Sequence, residues 1–315
     1  YAYAHLLTRH LRGRWPVIVH VALLIVATFA LPLSIASGWG RPPTQGETFW
    51  LLALFAVSIG LPFFALSANG PLLQAWFART DHPAKVTLIS AQQAAAYYDA
   101  EKSKGAYATI DAYLADLVDI LKTEVEELIR LGCTYIQIDA PQYAALIDPG
   151  IREGYRQRGN DPDRLLDRCI ELDNAVIGSH PGITFGIHLC RGNNQSKYYA
   201  SGGYDPISAV FSRTKFNNFL LEYDDERSGG FDPLKNVPED RTVVLGLVTS
   251  KKPKLESKDE LKQRIEEARK YVPMERLALS TQCGFASTEE GNLLTPEQQA
   301  AKLRLVAETA EEVWG

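Results

Sequence analysis

The sequence predicts an α/β fold on a parallel sheet from about Lys85 onward, preceded by two transmembrane helices. Two observations carry this prediction. After Lys85, short apolar runs alternate with amphipathic helical stretches. Before it lie two long apolar runs that carry no charge.

A change in composition separates the two parts. The 315 residues are 46% hydrophobic and 23% charged, which is ordinary for a globular chain. Before Lys85 there are five Arg, no Lys and two acids, a net charge of +3; the remainder carries 28 bases and 36 acids, a net of −8. Four of the five Trp fall in the early part and all four Cys in the later part, so two unlike pieces meet near Pro83. The chain begins at Tyr1 and its only Met is Met274, as expected of a chain cut from something longer. The mildly acidic later part has no electrostatic footprint for nucleic acid. Four Cys without a secretory signal point to reduced, chemically used thiols rather than a disulfide framework.

The first apolar run is Trp15–Ser37 and the second Phe49–Ala68. A helix of roughly 20 residues spans a ~30 Å hydrocarbon core, so residues 15–37 and 49–68 are expected to cross a lipid bilayer. Trp15, Trp39, Trp50 and Trp76 flank them as interfacial aromatics do, and Arg9, Arg12, Arg14 and Arg79 place both ends in the cytoplasm.

The strand candidates are Lys85–Ile89, Tyr135–Asp139, Ile183–Cys190, Phe219–Tyr223, Thr242–Val248 and Leu277–Cys283. They are continuous and apolar, which suits parallel strands covered on both faces. Helices fill the gaps: Ile110, Leu114, Leu117, Leu121, Val125 and Leu128 recur at helical spacing. Asp161-Pro162, Asp205-Pro206 and Thr295-Pro296 read as helix starts, and Ser257 with Glu260 as a capping box. Such alternation means a parallel sheet, either closed as a barrel or open and doubly wound. No G-x-G-x-x-G follows the first strand, so a dinucleotide fold has no support.

His188-Leu189-Cys190 ends one strand, Glu222 the next, and Cys283 the last. Alternation sends His188 and Cys190 to one face and the apolar Ile187 and Leu189 to the other. In a closed parallel barrel the C-terminal ends converge, and active sites sit there. One His, two Cys and one Glu are all zinc-type ligands, and zinc commonly takes four. Cys133 and Cys169 read as packing and His180 as surface.

The segments IQIDAPQY, GITFGIHLCRGN, LLEYDDERSGGFDPLKNVPED, VVLGLVTSKKPKLE and LALSTQCGFAS resemble the catalytic domain of the cobalamin-independent methionine synthase family, most of all its short single-domain relatives. The resemblance covers essentially Lys85 to Gly315. It implies a (β/α)8 TIM-type barrel of the uroporphyrinogen decarboxylase-like superfamily, with the first two βα units missing and weak turnover expected in consequence. It implies Zn²⁺ held by His188, Cys190, Glu222 and Cys283, with Asp139 as the catalytic, substrate-binding acid that meets the amino group of homocysteine. The activity implied is methyl transfer from a methyl-folate to homocysteine in methionine biosynthesis. Two departures stand out: Ala140 follows Asp139 where the family has a second acid, and Thr249-Ser250-Lys251-Lys252 stands where it has a proton-relaying His. The H-x-C-R-G-N run is also similar to that of epoxyalkane:coenzyme M transferases, which alkylate a different thiol. Residues 1–84 resemble the membrane region of spermidine-synthase-like proteins and carry no catalytic motif; an inert chimeric fragment is the remaining reading.

Overall fold

The computed structural model describes residues 2–11, 14–31, 34–40, 42–43, 46–70, 72 and 85–315. They divide into two compact units, Tyr1–Ala84 and Lys85–Gly315. Arg12, Arg41, Arg79, Trp76 and the junction near Pro83 lie outside the described residues.

In the first unit, helices run Ala2–His10, Trp15–Thr28 and Glu47–Ser67. Among the described residues, only Glu47–Ser67 is long and apolar enough to cross a membrane. The first expected span is corrected: its helix stops at Thr28 after 14 residues, roughly 21 Å at 1.5 Å per residue and short of a bilayer core. The sequence supplies a reason, because Leu31 precedes Pro32 and a residue before proline is pushed out of the α region. His20, within that run, is buried and pairs through Nε2 with Asn69 Oδ1 at 2.8 Å. Ala4, Leu7, Ala68 and Leu72 form a small apolar cluster.

The second unit holds a six-stranded sheet: β1 (Lys85–Ile89), β2 (Tyr135–Asp139), β3 (Thr184–Leu189), β4 (Asn218–Glu222), β5 (Thr242–Val248) and β6 (Leu277–Thr281). All five pairings are parallel and the order is β1-β2-β3-β4-β5-β6. An open doubly wound sheet reverses its strand order at a switch point; this one never does, which decides for the TIM-barrel type. Alternation divides the strand side chains as a barrel requires. Phe219 and Leu221 of β4 are buried, with Phe219 edge-on to Phe211 of the Ala209–Arg213 helix at 5.2 Å, while Glu222 takes the opposite face. Gly246 of β5 pairs with Glu222, and a Cβ there would come within 2.8 Å of both Leu221 O and Gln282 Cα. Only glycine lets β4, β5 and the end of β6 approach so closely.

The helix starts follow the expected side-chain chemistry at three places. Asp161 caps Pro162–Ile177, Ser257 and Glu260 form a capping box on Lys258–Ala268, and Thr295 with Gln298 forms another on Pro296–Trp314. Asp205-Pro206 differs: it opens only a three-residue 3-10 turn, with no side-chain cap.

A buried polar knot ties the start of the sheet to its helices. The Asp173 carboxylate accepts from Ser90 Oγ at 2.7 Å and Tyr143 Oη at 2.8 Å, and Gln142 Nε2 donates to Ser90 Oγ at 2.7 Å. Burial pushes the Asp173 carboxyl up to about 6, with the Ser90 and Tyr143 hydrogen bonds opposing. A folded-state value above the unfolded ~3.9 means that the folded state holds its proton more tightly. Stability from this group is therefore present below pH ~4 and lost as pH rises through about 6, roughly 3 kcal/mol in all. Asp173→Asn should flatten that part of the pH–stability curve relative to the parent. Asp173→Ala, which strands the Tyr143 hydroxyl, should cost about 1–3 kcal/mol in urea unfolding near neutral pH and more below pH ~4, where the parent has the full contribution of the buried protonated carboxyl. An Asn variant with an unchanged pH profile would show that Asp173 keeps an ordinary carboxylate titration.

Candidate functional site

The C-terminal ends of β3, β4 and β6 bring His188, Cys190, Glu222 and Cys283 together, and one ligand atom from each lies within 4.8 Å of all the others. His188 and Glu222 are the penultimate residue of β3 and the last of β4; Cys190 sits one residue beyond β3 and Cys283 two beyond β6. The first three are buried and Cys283 is partly open.

Each donor is aimed by its neighbours. β2 pairs with β3 so that Asp139 lies opposite His188, and His188 Nδ1–H donates to Asp139 Oδ1 at 2.6 Å. That bond leaves Nε2 facing Glu222 Oε1 at 3.7 Å and the Gln282 carbonyl at 3.2 Å. Glu222 is wholly buried, with Oε1 accepting from the Arg191 backbone N–H at 2.8 Å and Oε2 from Arg227 Nη2 at 3.1 Å. The Tyr204 hydroxyl accepts from the Glu222 N–H at 2.8 Å and donates to its carbonyl at 3.2 Å, pinning the strand end. Gly192 turns the chain away after Cys190 at φ 92°, a conformation that glycine adopts without strain.

The donor set fits a tetrahedral ion. Two sulfurs at ~2.3 Å from zinc stand roughly 3.8 Å apart, and Cys190 Sγ and Cys283 Sγ are 3.9 Å apart. The electrostatics fit as well. Cys190 shares its hydrogen bond with Cys283, which raises the Cys190 thiol and lowers Cys283 to about 5, so the pair holds one proton and one thiolate. Burial opposes the charged imidazolium, but the Asp139 hydrogen bond and the negative charges of Cys283 and Glu222 hold His188 up to about 9. A metal entering this site must displace protons from His188 and Cys190.

Sequence reasoning paired Asp139 with a substrate amino group; the structure places it against the imidazole, as the acceptor that orients a ligand. It missed Arg227, Gln282 and Asn193. Arg227 Nη2 reaches Glu222, Asp224 at 2.7 Å and Gln282 Oε1 at 3.3 Å. Nothing in the run Asp224-Asp225-Glu226-Arg227 separates a buried clamp from a solvated charge cluster. Cys133 and Cys169 are buried away from the donor set, as packing residues would be.

Two outcomes are expected. The parent is expected to retain about one zinc through purification and dialysis, and Cys190→Ser and Cys283→Ser should each strip it, whereas Cys169→Ser should leave metal content unchanged by elemental analysis. Asp139→Asn should weaken zinc binding about 10–100-fold. It should also lower the pH slope of log affinity by close to one proton between pH 7 and about 9, because His188 then loses its proton without the metal's help. An unchanged slope in competition titrations would remove Asp139 from the role of orienting carboxylate.

Comparison with known proteins identifies a family for the chain. Residues 107–311 match the family model described as cobalamin-independent synthase, catalytic domain. An uncharacterized protein of Bacillus subtilis, YxjH, is 41% identical over 221 residues, covering 69% of this chain and 59% of YxjH. A methionine synthase of Thermococcus kodakarensis is 29% identical over 179 residues, 57% of this chain and 45% of that protein. The chain thus spans about half the length of the curated relatives it matches. Among solved structures, one described as a vitamin-B12 independent methionine synthase from Listeria monocytogenes superposes with a TM-score of 0.57 at 28% identity, covering 79% of this chain and 67% of that one. The B12-independent methionine synthase of Shewanella sp. W3-18-1, solved with selenomethionine, superposes with a TM-score of 0.60 at 18% identity, covering 76% and 66%, and shares the fold. The chain belongs to the family of the cobalamin-independent synthase catalytic domain.

Proposed function

We propose that the second unit is a zinc-dependent thiol S-methyltransferase, acting on homocysteine with a methyl-folate of the 5-methyltetrahydropteroyltriglutamate type to form methionine. The observation that carries this reading is the convergence of His188, Cys190, Glu222 and Cys283 within 4.8 Å at the strand ends. In such transfer the thiol sulfur bonds to the methyl carbon, the carbon–nitrogen bond breaks, and its electron pair stays on the pterin nitrogen, which takes up a proton. That nitrogen leaves poorly, so the sulfur must attack as a thiolate. Zinc held by these four side chains would lower the pKa of a substrate thiol from its free value of ~8.5 and supply that thiolate near neutrality.

The chain's own residues set the conditions. Asp139 holds the imidazole with Nε2 inward, and Arg227 and the Arg191 N–H hold the Glu222 carboxylate without water. The Cys190–Cys283 pair contributes thiolate charge, which keeps a bound cation electron-rich and the substrate sulfur nucleophilic. Asp139, with a side chain 29% exposed, keeps one carboxylate edge within reach of a substrate ammonium.

Purified chain should carry about one zinc and convert homocysteine and methyl-folate to methionine, with turnover lost in Cys283→Ser. Zinc with no methionine, but with a thioether from another small thiol and alkyl donor, would move the assignment to another thiol alkyltransferase. Zinc content at background would sink the metal reading itself.

A further inference from the structure

The segment that follows Cys190 folds back on itself as a short hairpin. Asn194 and Lys197 form an antiparallel bridge, exchanging backbone hydrogen bonds of 3.1 and 2.9 Å, and the Tyr199 N–H donates to the Arg191 carbonyl at 3.0 Å. Gln195 and Ser196 make the turn, with φ of 48° and 65°. Two positive φ values are what a two-residue I′ turn requires, and Asn-Gly is the pair that adopts them readily. Neither residue here is a glycine, so the tip is held in a conformation that costs L-residues energy.

The hairpin touches the loops of the strands that supply the site. At its base the Tyr199 hydroxyl donates to the carbonyl of Pro141, two residues beyond Asp139 and the end of β2. The Tyr198 ring lies 4.7 Å from the guanidinium of Arg227, the clamp on Glu222. At the tip Ser196 Oγ accepts from the Leu293 N–H at 2.9 Å, and the Ser196 N–H donates to Asn292 Oδ1 at 3.4 Å; both partners lie in the segment after β6 and Cys283. The strands so joined, β2, β3, β4 and β6, are those whose ends carry Asp139 and the four metal donors. Burial of its hydroxyl, and then the charges of Cys190 and Glu222, raise Tyr199 above its ordinary range, which sets that hydroxyl beside the donor set.

Those attachments are few and mostly polar. None of residues 194–199 is buried, and Tyr198 and Tyr199 are 50% and 47% exposed. A segment with so little buried apolar surface opens far more easily than the fold around it. Gly192, at φ 92°, gives it a pivot two residues from Cys190, which is itself only 6% exposed. Strain at the tip and attachment along the hairpin therefore oppose each other across one hinge.

We propose that residues 192–199 form a hinged strap over the donor set, closed in this structure, and that its lifting about Gly192 admits ligands to Cys190 and His188. Gln195 and Ser196 set the balance: strain in the turn opens the strap, and the Ser196 hydroxyl fastens it. The strap goes beyond the methyl-transfer reading, since it governs access to the site whatever reaction takes place there.

The test uses the full chain with metal withdrawn by a chelator, so that it reads access and needs neither metal nor turnover. Iodoacetamide labelling of Cys190 and Cys169 is followed by peptide mass spectrometry in the parent, Gln195→Asn, Ser196→Ala and Tyr199→Phe. Amide exchange over residues 192–199 is measured in parallel. Ser196→Ala and Tyr199→Phe each remove one closing hydrogen bond, and each should speed labelling of Cys190 and exchange of the Lys197 and Tyr199 amides about two- to tenfold. Gln195→Asn eases the turn and should slow both about two- to fivefold. Cys169, buried in the Pro162–Ile177 helix, should label at one slow rate in all four chains. Cys190 labelling that ignores all three substitutions, or that changes only in step with Cys169, would overturn the strap. Methionine formation is not read, so a failure of the methyl-transfer reading would leave this result standing.

Discussion

Glu222 is a carboxylate with no access to water, and most of the site's arrangement answers that fact. Burial drives its carboxyl toward the protonated form. The charges of His188 and Lys251 and the Arg191 N–H pull it back. A carboxylate can stay ionised there only if each oxygen has a donor or a cation, which accounts for the Arg227 clamp and the turn that presents the Arg191 amide. The same demand explains the Tyr204 hydroxyl on both backbone groups of Glu222, since a strand end that drifted would break every one of these contacts.

The barrel geometry supplies convergence, but it does not finish the job. Cys190 and Cys283 lie beyond their strands, so their positions depend on loops rather than on ladder hydrogen bonds. Those loops are stitched by side-chain amides. Asn193 Nδ2 bonds the Gly284 carbonyl, Asn292 Nδ2 bonds Asn193 Oδ1 at 3.0 Å and the Ser250 carbonyl at 2.7 Å, and Gln282 Nε2 bonds Ser250 Oγ at 3.0 Å. Buried amide networks of this kind rigidify when satisfied, as a metal site needs. Asn193, Ser250 and Gln282 therefore connect the loops after β3, β5 and β6 into one platform.

Much of this was legible from the chain. Apolar runs of five to eight residues covered on both faces read as parallel strands, and all six emerged within two residues of their expected ends. The His-x-Cys spacing, the acid ending β4 and the Cys after β6 were visible as metal-ligand types, and alternation aimed His188 correctly. The first apolar run was less transparent. Its hydropathy continues past Thr28 while its helix does not, because composition measures solubility in lipid and not the backbone conformation that follows Thr28. Asp205-Pro206 misled similarly: a proline that suits a first turn also suits a 3-10 turn, and the chain on either side decides which forms.

By itself, then, the sequence determined the class of the fold and the four donor types, since periodicity and ligand chemistry are local properties written in neighbouring residues. Tertiary structure alone decided what those donors experience. That Asp139 meets the His188 imidazole depends on the β2–β3 register. Whether Arg227 is solvated or clamped depends on which loops fold over it. Charge, burial and pairing at a site are sums over groups far apart in the chain, and only folding brings those groups within reach of one another.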